Sequence, residues 1–358
     1  MSPSPSTPSL PLFPPDSWSF HTHEVILPRI REACTQAASL ARYHEIGTSE
    51  EGRPLIGVTL GTGPHRVSLL AGAHADEPVG PETLRFLLLE ILRHPERYTS
   101  LLQTYQFFIV PHVNPDGEAR NQPWITRWPS FEAYLRHRVR EKPGRDIEFG
   151  YPDRRPENRA VASYIATGTP FSLHMSLHGM GYSEGALLLI ERHWVERTAI
   201  LRKEWLQHAC LTGLRPHDQD RKGEKGFHYL GPGFWTTPES TAMKAYFLGR
   251  NDPETAALFG LSSMEYVRLA GGDPLCLVTE LPLFLLSKPY IHQKHGIPAL
   301  YRSFNACIPE LHERLQRGLS LEDLLKPFQL QPLSLSVAMH MQLTAIQLGL
   351  QAVLTASS

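Results

Sequence analysis

The sequence is poor in cysteine, and the four it has, Cys34, Cys210, Cys276 and Cys307, stand far apart with no C-x-x-C pair. A disulfide framework and a cysteine zinc site are thereby excluded as organising devices. Net charge is almost absent, with Lys and Arg totalling 35 against 36 Asp and Glu. No global field therefore favours nucleic acid or an anionic membrane. Long apolar runs are missing too: no stretch approaches the ~20 apolar residues of a membrane span. Even Leu333 to Thr355 is interrupted by His340, Gln342 and Gln347. The opening Met1-Ser-Pro-Ser-Pro-Ser-Thr-Pro-Ser-Leu-Pro-Leu-Phe-Pro-Pro15 lacks the basic n-region and unbroken apolar h-region of a secretory signal. Residues 1–20 read as a flexible Pro/Ser-rich tail and 21–358 as one domain. The expectation is a cytoplasmic protein with no nucleic-acid or membrane partner.

What is present is ample core material, 41% hydrophobic in 358 residues, and three His-x-x-Glu pairs. A His and a Glu three apart can close on one Zn²⁺ from a tight turn, but spacing alone is a weak sign. His21/Glu24 sits beside the Pro-rich tail. His193/Glu196 lies in Glu191-Arg-His-Trp-Val-Glu-Arg197, which reads as the polar face of a helix. His74/Glu77 differs because an apolar strand, Val67-Ser-Leu-Leu-Ala71, precedes it and a helix from Pro81 to Arg93 follows. In open α/β sheets ligands bind beyond the carboxyl ends of strands.

Further along, Ile26 to Arg42 has helical periodicity, and Tyr43 to Ile46, Leu55 to Leu60 and Tyr105 to Val113 read as strands, the last stopped by the turn Asn114-Pro-Asp-Gly117. Phe171-Ser-Leu-His-Met-Ser-Leu-His178 alternates, so His174 and His178 face the same side of a strand, with His178 at its carboxyl end. Leu275-Cys-Leu-Val-Thr-Glu-Leu281 is a buried-strand run in which Glu280 needs a partner or a role. Glu118 to Arg145 and Leu214 to Asn251 read as loops, and Ile297 to Arg317 and Leu333 to Thr355 as closing helices. The alternation gives an α/β fold, a mixed central sheet flanked by helices.

With His74-Ala-Asp-Glu77, Asn114-Pro-Asp-Gly117, Ser176-Leu-His-Gly179 and Thr279-Glu-Leu-Pro282 in this order, the chain resembles the zinc carboxypeptidase family of the carboxypeptidase A type. Ile46-Gly-Thr-Ser-Glu-Glu-Gly-Arg-Pro54 also looks like that family's entry segment. The resemblance implies a carboxypeptidase A-like (phosphorylase/hydrolase-like) sheet and one Zn²⁺ per chain held by His74, Glu77 and His178. It implies that Glu280 is the general base, taking a proton from the attacking water and delivering it to the leaving amine. Asp146 matches an aspartate that hydrogen-bonds the first histidine ligand. A carbonyl-polarising arginine matches Arg120 by its Arg-Asn context, with Arg127 the rival.

The chain departs from the family where an Asn-Arg pair clamps the substrate's terminal carboxylate, since Glu148 and Phe149 occupy those positions. A carboxylate at Glu148 repels another, so the substrate end is expected to be neutral or cationic, with Phe149 lending apolar or cation–π contact. The alternative is that Glu148 pairs internally with Arg154, Arg155 or Arg159. The capping tyrosine of the family has no clear counterpart, the expected place falling near Ala257. The leading expectation is a zinc-dependent amide hydrolase acting on a small molecule or peptide. Rival expectations are a conventional metallocarboxypeptidase, an N-acyl amino acid deacylase, and a zinc-dependent binding protein without turnover.

Overall fold

The computed structural model describes residues 8–287 and 296–357. Among these residues, ten strands form one mixed sheet: β1 (Ala41–Thr48), β2 (Pro54–Leu60), β3 (His65–Ala71), β4 (Tyr105–Val110), β5 (Leu173–Ser183), β6 (Leu187–Ile190), β7 (Tyr229–Gly231), β8 (Phe234–Thr236), β9 (Leu275–Leu285) and β10 (Gln331–Pro332). Their order is β1-β2-β4-β3-β5-β9-β6-β8-β7, with β10 on β9. The central four, β4, β3, β5 and β9, run parallel; covered on both faces, they are buried along most of their length, and β4 and β9 are largely apolar while β5 alternates. From β3 the chain moves to β4 on one side and later to β5 on the other. The carboxyl end of β3 is thus the switch point where an open sheet leaves a crevice, and the His74 loop leaves the sheet there.

The helix Leu335–Ser357 packs across the centre of the sheet. By length and composition Leu335–Ala356 could cross a bilayer, its most apolar 18 residues having a mean hydropathy of 1.2, yet 78% of that stretch is buried inside the fold. This corrects the expectation that no segment is apolar enough. Its three polar interruptions face protein partners: His340 Nδ1 pairs with the Leu12 carbonyl at 2.6 Å, Gln347 accepts from the Leu10 amide at 2.8 Å, and Gln342 donates to the His178 carbonyl at 3.0 Å. Such satisfaction is what a polar group in a core requires. The same contacts show that the Pro-rich start is not all tail: Leu10 is buried, and Trp18 Nε1 donates to Glu82 at 2.9 Å. Residues 1–7 lie outside the described part.

Two expected loops are largely structured. Within Glu118 to Arg145 run the helices Pro115–Ile125 and Phe131–His137. Asn114-Pro-Asp-Gly117 is the start of the first rather than a turn: the Asn114 side chain accepts from the Gly117 amide at 3.0 Å, and Pro115 takes the first helical position. Gly117 is required there because a Cβ would meet the Cβ of Ala75 at 2.6 Å, which lets this helix press on the His74 loop. Glu118 is buried and binds Arg85, so the charge that suggested a loop anchors the core. Leu214 to Asn251 contains β7, β8 and the helix Ser240–Leu248. Glu191 to Arg197 forms two short 3₁₀ turns instead of a helix.

Candidate metal centre and its cavity

Gly72, at φ +78°, turns the chain out of β3, and the loop that follows presents His74 and Glu77. His178 projects from β5 and Glu280 from β9, and the register of these parallel strands sets the two directly side by side. Gln342, from the helix behind the sheet, ties the pair together by donating to the His178 carbonyl and to Thr279 Oγ1.

The ligating atoms of His74, Glu77 and His178 lie within 4.8 Å of one another. His74 Nδ1 is 2.9 Å from Glu77 Oε1, and His178 Nδ1 is 3.0 Å from Glu77 Oε2 and 3.1 Å from His74 Nδ1. Two imidazole nitrogens and a carboxylate converging in a buried place fit a divalent ion of the zinc kind. Burial disfavours charge on His178, but Glu148 and Glu77 outweigh it and hold its pKa well above the ordinary value. Burial raises the Glu77 pKa, but the charges of His74 and Arg140 bring it well below the usual carboxylate range. A cation bound by the trio displaces such protons, which couples metal affinity to pH.

These groups open on a cavity of about 320 Å³ also lined by Glu280, Arg140, Asp146, Glu148 and Phe149. Burial, then the neighbouring Glu77, pushes the Glu280 carboxyl up to about 8. Glu148 is 6% exposed, and its Oε2 accepts from His178 Nε2 at 2.9 Å, with Ser176 Oγ at 2.8 Å from the same nitrogen. It thus orients a candidate metal ligand, and is paired with none of the arginines considered for it: Arg155 binds Glu157, and Arg154 donates to the Ala257 carbonyl. Phe149 packs on Phe259 in the cavity wall. Asp146 lines the cavity beside His74, but no hydrogen bond joins them, and its Oδ1 has no partner among the described residues.

Neither arginine named from the sequence lines this cavity. Arg120 is exposed and paired with Glu51, and Arg127 is exposed on the turn after the helix Pro115–Ile125. Two other arginines line it, Arg140 and Arg221, and Arg140 reaches the metal triangle: its Nη1 donates to Asp76 Oδ1 and Glu77 Oε1, each at 3.0 Å. It falls in a segment with no fixed spacing from the motifs, so only the fold could single it out from Arg136 and Arg138. The other two His-x-x-Glu pairs come apart: His21 Nδ1 meets Glu82 at 2.9 Å, and His193 Nδ1 meets Glu191 at 2.6 Å. A roomier cleft of about 460 Å³ beside His193 has its charges matched internally, with Arg268 on Glu191 at 3.1 Å.

The fold and this constellation define a class, an α/β protein whose sheet switch point carries a His-Glu-His metal site opening on a cavity. A family profile described as zinc carboxypeptidase matches residues 28–188 of the chain. Carboxypeptidase M of Mus musculus is 28% identical over 189 residues, covering 48% of this chain and 41% of that protein. Carboxypeptidase B of Astacus astacus is 29% identical over 107 residues, covering 29% of this chain and 35% of that protein. These matches thus cover less than half of either relative. Bovine thrombin-activatable fibrinolysis inhibitor, solved in complex with tick carboxypeptidase inhibitor, superposes with TM-score 0.53 at 14% identity, covering 94% of this chain and 98% of that one. A metallo-carboxypeptidase from Burkholderia cenocepacia gives 0.50 at 14%, covering 94% and 70%. At such identities the superpositions establish the fold. The profile match includes His74, Glu77 and His178, whereas Glu280 lies beyond it and is brought to the site by β9.

Proposed function

We propose that the protein is a zinc-dependent hydrolase of peptide-type amide bonds, with His74, Glu77 and His178 holding the metal. The observation that carries this reading is the pairing of that triangle with Glu280 on the adjacent strand, both opening on one cavity. Bound zinc would supply Lewis acidity, making water more acidic and a carbonyl more electrophilic. Glu280 accepts a proton from the attacking water and passes it to the leaving amine, and its raised pKa suits an acid–base group working near neutrality. Arg140 is placed to stabilise negative charge on the carbonyl oxygen. Glu148 and Ser176 hold the His178 ring by its far nitrogen, so that Nδ1 offers a lone pair.

Because Glu148 is committed to His178, it gives no direct support to selection of a cationic substrate end. A cytoplasmic location is also our proposal, supported by four free cysteines. The test is hydrolysis of a peptide panel by the zinc-loaded protein with a chelator control. Cleavage should vanish with chelator and fall by a factor of about 10² or more in Glu280→Gln, while that variant keeps its zinc. Equal turnover by parent and variant would remove Glu280 from the reaction.

A further inference from the structure

The helix Pro115–Ile125 carries a polar side chain that no step of the reaction has used. Gly117 lets this helix press on Ala75, and Asn121 follows one turn later on the same face. Asn121 is fully buried and lies outside the cavity lining. Its Nδ2 is 2.9 Å from each of three carbonyls, those of Ala75, Gly117 and Val139. Its Oδ1 accepts from the Val139 amide at 2.9 Å and from Trp124 Nε1 at 2.6 Å. Carbonyls on one side and N–H donors on the other fix which end of the amide is which.

Two segments that build the site meet at this one side chain. Ala75 stands inside the His74–Glu77 ligand turn, and Val139 adjoins Arg140 outside any helix or strand. An antiparallel partner would hold such a backbone by exchanging both its N–H and its C=O bonds, and the Asn121 amide does the same for Val139. Arg140 is long and its side chain 40% exposed, so its reach into the cavity depends on where that backbone is held. The next residue ties the segments again: Glu141 Oε1 accepts from Asn114 Nδ2 at 2.7 Å, and its Oε2 accepts from the Ala75 amide at 3.4 Å. Trp124, buried edge-on against Tyr134 with ring centres 5.0 Å apart, holds the amide from behind. An aspartate at position 121 would have no donor for the three carbonyls, and a serine is too short to reach both segments.

We propose that Asn121 is a positioning residue that sets the ligand turn and Arg140 at a fixed separation, acting through them without touching substrate or metal. This rests on the hydrolase reading above, with Arg140 as the group that meets the carbonyl oxygen. Charge on that oxygen grows only in the transition state, so a drift of Arg140 is felt in kcat before KM. A misplacement of about 1 Å is enough to cost up to about 10²-fold.

The experiment measures kcat and KM per bound zinc in full-length Asn121→Ser, Arg140→Gln and the double variant. Ile125→Ala, a core truncation in the same helix, controls for loss of stability alone. Asn121→Ser should lower kcat by about tenfold or more with KM little changed, and Ile125→Ala should match the parent. In the Arg140→Gln background the serine should cost about twofold or less, because the group it positions is already gone. Losses that multiply in the double variant, or an equal kcat loss in Ile125→Ala, overturn the proposal. Should Asn121→Ser fail to fold, Trp124→Phe removes one anchor of the amide and should show the same dependence on Arg140 at smaller amplitude; parent-like kcat there overturns the proposal. A readout without turnover is amide hydrogen exchange in chelator. Exchange in residues 74–77 and 139–141 should quicken together in Asn121→Ser and stay near the parent in Ile125→Ala. Unchanged exchange in either segment overturns the tie. Quickened exchange in both, with a parent that cleaves no peptide, supports the tie and counts against the hydrolase reading alone.

Discussion

Replacing Glu148 should loosen the metal before it changes anything else. His178 has two nitrogens with separate tasks: Nδ1 faces Glu77 and His74, and Nε2 lies 2.9 Å from Glu148 and 2.8 Å from Ser176. For Nδ1 to present a lone pair, the ring proton must sit on Nε2, where a carboxylate holds it best and makes the ring a stronger donor. Loss of such a partner typically weakens metal binding about 10–100-fold, or about 1.4–2.8 kcal/mol. Glu148→Gln keeps an acceptor oxygen and loses only charge, so it belongs at the lower end. Glu148→Ala leaves Nε2 with the Ser176 hydroxyl alone and belongs at the upper end. Ser176→Ala, removing a neutral partner, should cost less than either. The assay is competition for zinc against a chromophoric chelator near neutral pH, with circular dichroism confirming the fold. Parent-like zinc affinity in both Glu148 variants would refute the reasoning.

Other consequences are as definite. Arg140→Gln should lower kcat by about 10²-fold while Arg120→Gln stays near the parent, and steady-state kinetics showing the reverse would restore Arg120 to the site. Arg85 is 1% exposed between Glu82 and Glu118, so Arg85→Ala leaves buried carboxylates unpaired and should cost about 3–5 kcal/mol in urea unfolding. His174 lies fully buried between Ser68 and Ser263, and burial lowers its pKa to about 3. Unfolding releases it to an ordinary value near 6.5, so its stabilisation is complete above that pH. As pH falls from there toward 3 the unfolded chain takes the proton first, and stability drops by about 1.4 kcal/mol per pH unit. His174→Gln should flatten the loss measured in chelator between about pH 7 and about pH 5. An unchanged slope would mean that other histidines, such as His112 and His217, carry all of it.

The central strands and the metal triangle were readable from the chain because each rests on a local rule. Apolar runs mark the parallel strands, alternation puts His178 on the same face as His174, and a His-x-x-Glu at a strand's end marks a ligand turn. Fold-level order was needed to set Glu280 beside His178, a pairing across about a hundred residues that no spacing encodes. The misreadings have physical causes. Asn-Pro-Asp-Gly has turn chemistry, but Asn and Pro serve equally well at a helix start. Glu118 and Arg85 are charges, which on their own suggest surface, yet they satisfy each other inside. His340, Gln342 and Gln347 suggested a break in the apolar character of Leu335–Ser357, whereas each has a partner within the fold. Arg140 was hidden because a cation on an irregular segment has no period, and only the cavity shows that it reaches the metal triangle.

The metal triangle is tested most directly by zinc stoichiometry, read by mass spectrometry on purified protein dialysed against trace zinc. One tightly held zinc per chain is expected in the parent and in Glu280→Gln, with loss in His74→Ala, Glu77→Ala and His178→Ala variants that remain folded. A parent that holds no zinc, or zinc that stays in all three ligand variants, would contradict it.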